Sequence, residues 1–135
     1  MFVESESKKV GNVSIPLALL EKMRASACLD LQLPTDERVA LLLEDYDYLV
    51  KNTAYFCERL DILSAFKGKL VVAAWKDKVQ QGDLEPVVRD LLTGHYDPGY
   101  LESIRRNFSQ YEAARALVPE SHSMEAMLKL AKTLL

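Results

Sequence analysis

Met1-Phe2-Val3-Glu4-Ser5-Glu6-Ser7-Lys8-Lys9-Val10-Gly11 opens the chain. A short apolar stub runs directly into two carboxylates and then into two lysines. In a phosphate-binding α/β domain, a strand that ends in acids is the usual place for a ligand of hydrated magnesium. A glycine-rich phosphate loop forms the other half of such a site. No Gly-x-x-x-x-Gly-Lys-[Ser/Thr] segment occurs in the sequence. The expected fold is therefore α/β turning mostly α: the back half of a P-loop-type domain, with two short parallel strands, followed by a helical bundle.

The neighbouring pattern supports that expectation. Residues 1–4 read as a short strand. Ser14-Ile15-Pro16 opens a helix, proline pre-setting its first turn, and Leu17, Leu20 and Met23 recur at helical spacing over 16–25. Cys28-Leu29-Asp30-Leu31-Gln32-Leu33 alternates with period two and stops at Pro34, which predicts a strand. Strand, helix and strand fit a parallel β-α-β unit, whose two strands need further partners to make a stable sheet.

From Thr35 onward the sequence reads as helix. Thr35 is a cap, with Asp36 and Glu37 at the positive end of the helix dipole. Val39, Leu42, Leu43, Tyr46 and Leu49 form one apolar stripe. Asn52 or Thr53 starts the next helix and Gly68 breaks it. Leu70, Val71, Ala74, Trp75 and Val79 form a third stripe, ended by Gly82, and Asp83 caps a fourth helix. Asp97-Pro98 opens a fifth, residues 114–122 read as a loop, and Ser123 caps the last. The expected domains are 1–34, the C-terminal portion of a P-loop NTPase-like α/β domain, and 35–135, a helical C-terminal region.

Composition sets the outer limits. The 135 residues suffice for a core without disulfides, and 49% apolar against 27% charged residues argues against disorder. A net charge of −3 speaks against a general polyanion binder, though not against a local basic patch. Cys28 and Cys57 stand in apolar patterns and outside any Cys-x-x-Cys, which predicts buried structural thiols in a reducing compartment. No signal peptide or membrane-length apolar stretch is present, so a cytoplasmic protein is expected.

Several segments carry candidate chemistry. Glu4 and Glu6 lie two apart and would share one side of an extended chain, where they could hold magnesium; spacing alone favours a solvated strand end. Lys8 and Lys9 could neutralise a phosphate or simply be exposed. Arg38 could fork onto a phosphate or pair with Asp36 or Glu37. Gly94-His95-Tyr96-Asp97-Pro98-Gly99-Tyr100 is the densest local signature, with Arg105 and Arg106 following. Tyrosines and arginines could stack on RNA bases and grip phosphates, whereas spacing alone favours a helix-helix corner in which Asp97 caps and both tyrosines pack. Trp75 reads as core. No nucleophile pairs with His95.

Phe2-Val3-Glu4-Ser5-Glu6-Ser7-Lys8-Lys9-Val10-Gly11, Pro16, Met23-Arg24, Arg38, Asp45-Tyr46 and His95-Tyr96-Asp97-Pro98 with Tyr100 resemble the C-terminal part of bacterial tRNA 2-selenouridine synthase, in order and approximate spacing. The resemblance implies the following. Such proteins combine a rhodanese-like domain bearing a catalytic cysteine with a P-loop domain. They convert wobble 2-thiouridine in tRNA to 2-selenouridine through a geranylated intermediate, using geranyl diphosphate and selenophosphate as substrates. Neither Cys28 nor Cys57 lies in a rhodanese loop, so the catalytic cysteine is not carried over. Glu4, Glu6, Lys8, Lys9 and Arg38 become candidates for the phosphate and magnesium region. Arg24, His95, Tyr96, Tyr100, Arg105 and Arg106 become candidates for tRNA contact. The expected partners are tRNA and a portion carrying the rhodanese domain and phosphate loop, with no DNA and no membrane. This chain would be a binding part of a tRNA-modifying transferase, with no cofactor of its own and inactive alone. The other reading is a non-catalytic helical module that docks tRNA or a partner.

Overall fold

The computed structural model describes residues 1–5 and 8–135. It is mostly helical with a few short strands. β1 (Lys9–Val10) and β2 (Val13–Ser14) form an antiparallel hairpin, Lys9 opposite Ser14 and Val10 opposite Val13. Gly11 turns this hairpin at φ 59°, a conformation that suits glycine in a two-residue turn. α1 (Leu17–Arg24) follows Pro16, and β3 (Leu29–Leu31) follows α1. Then come α2 (Thr35–Asp45), α3 (Asp47–Lys51), α4 (Thr53–Asp61), α5 (Ser64–Lys67), α6 (Lys69–Gln80) and α7 (Leu84–Leu91). A π turn (Leu92–Tyr96) precedes α8 (Asp97–Asn107). A 3₁₀ turn (Tyr111–Ala113), β4 (Arg115–Leu117) and α9 (Met124–Lys132) follow. Among the described residues, no helix is long and apolar enough to cross a membrane.

The chain divides into two compact units, 1–32 with 97–135, and 33–96. In the first, β3 and β4 pair in parallel, with Leu29, Asp30 and Leu31 opposite Arg115, Ala116 and Leu117. The Arg115 N–H donates to the Cys28 carbonyl at 3.2 Å and the Gln32 N–H to the Leu117 carbonyl at 2.8 Å, so the ladder continues past both strand ends. The last carbonyls of a helix lack intrahelical donors. Here the Arg24 carbonyl accepts the Ser109 N–H at 3.1 Å, and the Ala25 carbonyl accepts the Gln110 side-chain amide. The segment after α8 is thereby fastened to the end of α1. Leu20, Ile104, Leu117 and Ala126 are among this unit's buried apolar side chains.

Two expectations need correction here. Residues 1–4 do not form a strand, because no neighbouring strand accepts their backbone groups and Met1, Phe2 and Val3 are exposed. The parallel pair instead joins β3 to β4, in a segment expected to be loop. Three residues carry no visible period, and only the ladder makes Arg115–Leu117 a strand.

The second unit is a helical bundle. Its core takes Phe56, Cys57 and Leu60 from α4, Val72, Trp75 and Val79 from α6, and Val87 and Leu91 from α7. These spacings of three and four put each set on one helix face. The Trp75 indole N–H donates to Asp90 Oδ2 at 3.2 Å, which satisfies the polar edge of an otherwise buried ring. Asn52 caps α4, its Oδ1 accepting the Tyr55 N–H at 3.1 Å. Gly68, at φ 86°, separates α5 from α6. α2 begins at Thr35 without a side-chain cap, and Asp36 instead pairs with Arg89 at 2.7 Å. The buried face of α6 runs through Val72, not Leu70, which is 88% exposed. Two residues amount to roughly 200° around a helix, so both cannot face inward.

Leu60 is 2% exposed in this core. Leu60→Ala is expected to destabilise the second unit by about 2–5 kcal/mol, the transfer and cavity terms together. Urea unfolding followed by Trp75 fluorescence measures it; a shift under 1 kcal/mol would contradict the packing described.

Candidate functional site

Two adjoining clefts lie within the first unit. The smaller has a volume of about 110 Å³. Its polar wall consists of Ser5, Lys8, Arg24, Ser103 and Asn107, and Leu20, Met23 and Phe108 supply the apolar part. α1 contributes Leu20, Met23 and Arg24 from one face, and α8 contributes Ser103 and Asn107 from one face, as spacings of three and four require. Asn107 is held by its side-chain amide donating to the Ser103 carbonyl at 2.8 Å.

Arg24 is the distinctive member. Its Nε is buried and has no hydrogen-bond partner among the described residues. A buried cationic donor left unpaired is costly, and a guanidinium fork matches phosphate oxygens. Lys8 on the same wall adds a second positive charge, and the Ser5 and Ser103 hydroxyls add donors. This wall can hold an anion.

The larger cleft has a volume of about 580 Å³, within the range of small-molecule sites. It shares Ser5, Met23 and Phe108 with the smaller one. Phe2, Val3, Leu29, Leu31 and Ile104 make much of its lining apolar. Tyr100 and Tyr111 add phenol groups, and the Ser5 and Tyr100 hydroxyls lie 3.2 Å apart. Burial, with the nearby Asp30 carboxylate, pushes the Tyr111 hydroxyl above the ordinary tyrosine range, and Arg105 opposes this.

The expected site residues distribute as follows. Lys8 and Arg24, one taken from the phosphate group and one from the tRNA group, meet on the wall of the smaller cleft. Glu4 lines the larger cleft; Glu6 lies outside the described residues. Among the described residues, no three His, Cys, Asp or Glu side chains converge as metal ligands, so the magnesium expectation gains no ligand set here. Lys9 stands on β1. Arg38, on α2, and His95 and Tyr96, in the π turn, belong to the second unit, whereas Tyr100, Arg105 and Arg106 belong to the first. Arg105 pairs with Glu112 at 2.9 Å and Arg106 with Glu102 at 2.5 Å, both on the surface.

The expected packed corner at 94–100 is also revised. The π turn runs into α8 without an intervening non-helical residue, and Tyr96 and Tyr100 are exposed. Cys57 is buried as expected, but Cys28 is only half-buried and lines the larger cleft. Ser103 and Asn107 carry no motif in the sequence, and Phe108 belongs there only to the apolar set of the fifth helix. Their signal was the helical spacing of Tyr100, Ser103, Ile104 and Asn107 on one α8 face.

The chain is mostly helical with a short parallel ladder, and its first unit carries a wall with Lys8 and Arg24 beside a largely apolar cleft. The family model for the tRNA 2-selenouridine synthase AAA domain matches residues 1–73, more than half of the chain. The chain belongs to this family. No curated relative and no solved structure matches it.

Tyr111 gives a pH test. Its folded pKa is raised, so the fold favours the neutral phenol. That contribution is fully present below the unfolded tyrosine value, about 10, and is lost as pH rises through the folded value. The stability difference between the parent chain and Tyr111→Phe should therefore shift against the parent from pH 9 upward. Urea unfolding at stepped alkaline pH measures it, and a difference independent of pH would refute the partial desolvation of this phenol.

Proposed function

We propose that this chain serves tRNA 2-selenouridine formation by binding the geranyl diphosphate donor in its first unit and by contacting the tRNA. The observation that carries the donor reading is the shared wall of the two clefts. A cationic pocket opens beside a longer apolar one, with Ser5, Met23 and Phe108 common to both. That pairing matches an amphiphile with a doubly charged phosphate head and a short isoprenoid tail. Lys8 and Arg24 neutralise the head, the Ser5 and Ser103 hydroxyls donate to its oxygens, and Phe108 with Ile104 packs the tail.

The tRNA part of the reading rests on Arg105 and Arg106. Both are exposed, and exposed ion pairs contribute little, so exchange of Glu112 or Glu102 for a backbone phosphate costs little. The chemistry at the thiouridine sulfur belongs, in this reading, to a partner portion with the phosphate loop and the catalytic cysteine. This chain alone binds without converting.

Calorimetric titration tests the donor site. Geranyl diphosphate should bind more tightly than inorganic diphosphate. Arg24→Ala should weaken both by about tenfold or more, the worth of a charge-assisted bond. Phe108→Ala should reduce the preference for the geranyl compound while leaving inorganic diphosphate near its original affinity. Equal binding by the parent chain and Arg24→Ala, with the fold of the first unit intact by amide hydrogen exchange, would remove the head-group site.

A further inference from the structure

Three aromatic rings stand together on the surface of the second unit. Phe66 comes from α5, and His95 and Tyr96 from the π turn. The Phe66 and His95 ring centroids are 6.2 Å apart, and those of His95 and Tyr96 are 5.0 Å apart in an edge-to-face arrangement. Phe66 is 74% exposed and Tyr96 59%. The rings contact one another yet present most of their area to solvent, which core packing does not explain.

A positive charge is fixed beside them. The Lys67 ammonium donates to the Gly94 carbonyl. Pro98 explains why that carbonyl is open to a side chain: proline has no N–H to offer the carbonyl four residues earlier. The lysine therefore stands at the start of the His95-Tyr96 pair, and Lys69 follows it along the chain.

The same unit holds a second exposed aromatic pair, which serves as a comparison. Tyr46 and Tyr48 have ring centroids 6.0 Å apart. They lie in Glu44-Asp45-Tyr46-Asp47-Tyr48, among carboxylates that repel phosphate. One carboxylate, Asp97, adjoins Tyr96, whereas Glu44, Asp45 and Asp47 surround the tyrosine pair, so the first cluster is the less acidic of the two. Exposed rings with a fixed cation are what single-stranded nucleic acid binders use: bases stack on the rings, and the cation neutralises the backbone.

We infer that Phe66, His95 and Tyr96, with Lys67, form a stacking platform for unpaired nucleobases of a single-stranded nucleic acid segment. The platform rests on the tRNA part of the proposed function and is independent of the diphosphate clefts, which lie in the other unit.

Fluorescence anisotropy with the full chain tests it, using a labelled oligouridine RNA 12-mer, its DNA counterpart and a blunt RNA duplex. The single strands should bind more tightly than the duplex. A gap between RNA and DNA would assign a role to the 2′-hydroxyl, and equal affinity would assign the recognition to base stacking alone; both support the platform. Phe66→Ala and Tyr96→Ala should each weaken single-strand binding about tenfold, with the salt dependence unchanged. Phe66→Trp should restore it. Lys67→Gln should instead reduce the salt slope by about 0.7. Tyr46→Ala should leave affinity unchanged. Trp75 fluorescence checks that each variant is folded. The platform is overturned if no oligonucleotide binds, if the duplex binds as well as the single strands, or if folded Phe66→Ala and Tyr96→Ala bind like the parent. Loss of diphosphate binding in Arg24→Ala with oligonucleotide binding intact separates the two readings.

Discussion

The parallel ladder between Leu29–Leu31 and Arg115–Leu117 is the constraint on which the first unit depends. Parallel strands cannot be joined by a hairpin, so their ends must be brought together by a long excursion of the chain. Closing so long a loop carries an entropic cost that only a few backbone bonds and the surrounding apolar contacts oppose. The bonds from Ser109 and Gln110 to the last carbonyls of α1 reinforce the same closure. Once α1 and the end of α8 are fastened in this way, Arg24 faces Ser103 and Asn107, and the clefts follow as the space between two helix faces.

The second unit is organised by different forces. Its elements are neighbours in sequence, and its core is built from helix faces that each show a spacing of three and four. Trp75 resolves its one polar atom on Asp90 and can therefore be buried. At the other extreme, Phe66 and Tyr96 remain at the surface with a lysine pinned beside them. A buried ring with a satisfied donor stabilises the fold, whereas an exposed ring with a fixed charge offers area to a ligand.

The two surfaces suit two kinds of recognition. The first-unit clefts combine a half-buried arginine and an exposed lysine with apolar walls, an arrangement that suits a small molecule with a charged head in the proposed reading. The second-unit rings are exposed and tilted against one another, and in the proposed reading they take planar groups on a charged, extended backbone. In the proposed function the two surfaces serve one chemistry, because modification of a tRNA base needs both a donor and a nucleic acid.

Much of this protein was legible in its sequence. The caps at Asn52 and Ser123, the breaks at Gly68 and Gly82 and the proline before α1 marked helix ends through local geometry, and Trp75 and Val79 revealed the core through period. The motif residues from Phe2 to Gly11 lie within the family match over 1–73, whereas the segment around His95 lies beyond it. β4 was not legible, because three residues become a strand only when β3 offers its edge. The meeting of Lys8 with Arg24, and of Phe66 with His95, was not legible either. Helix capping, chain breaks and amphipathic period act over a few residues, so the sequence by itself determined several helix ends and part of the buried faces, though not the inward face of α6 or a cap at Thr35. Which distant faces meet depends on long-range burial and backbone pairing. The anion-binding wall and the aromatic platform, each assembled from segments far apart in the chain, were decided by tertiary structure alone.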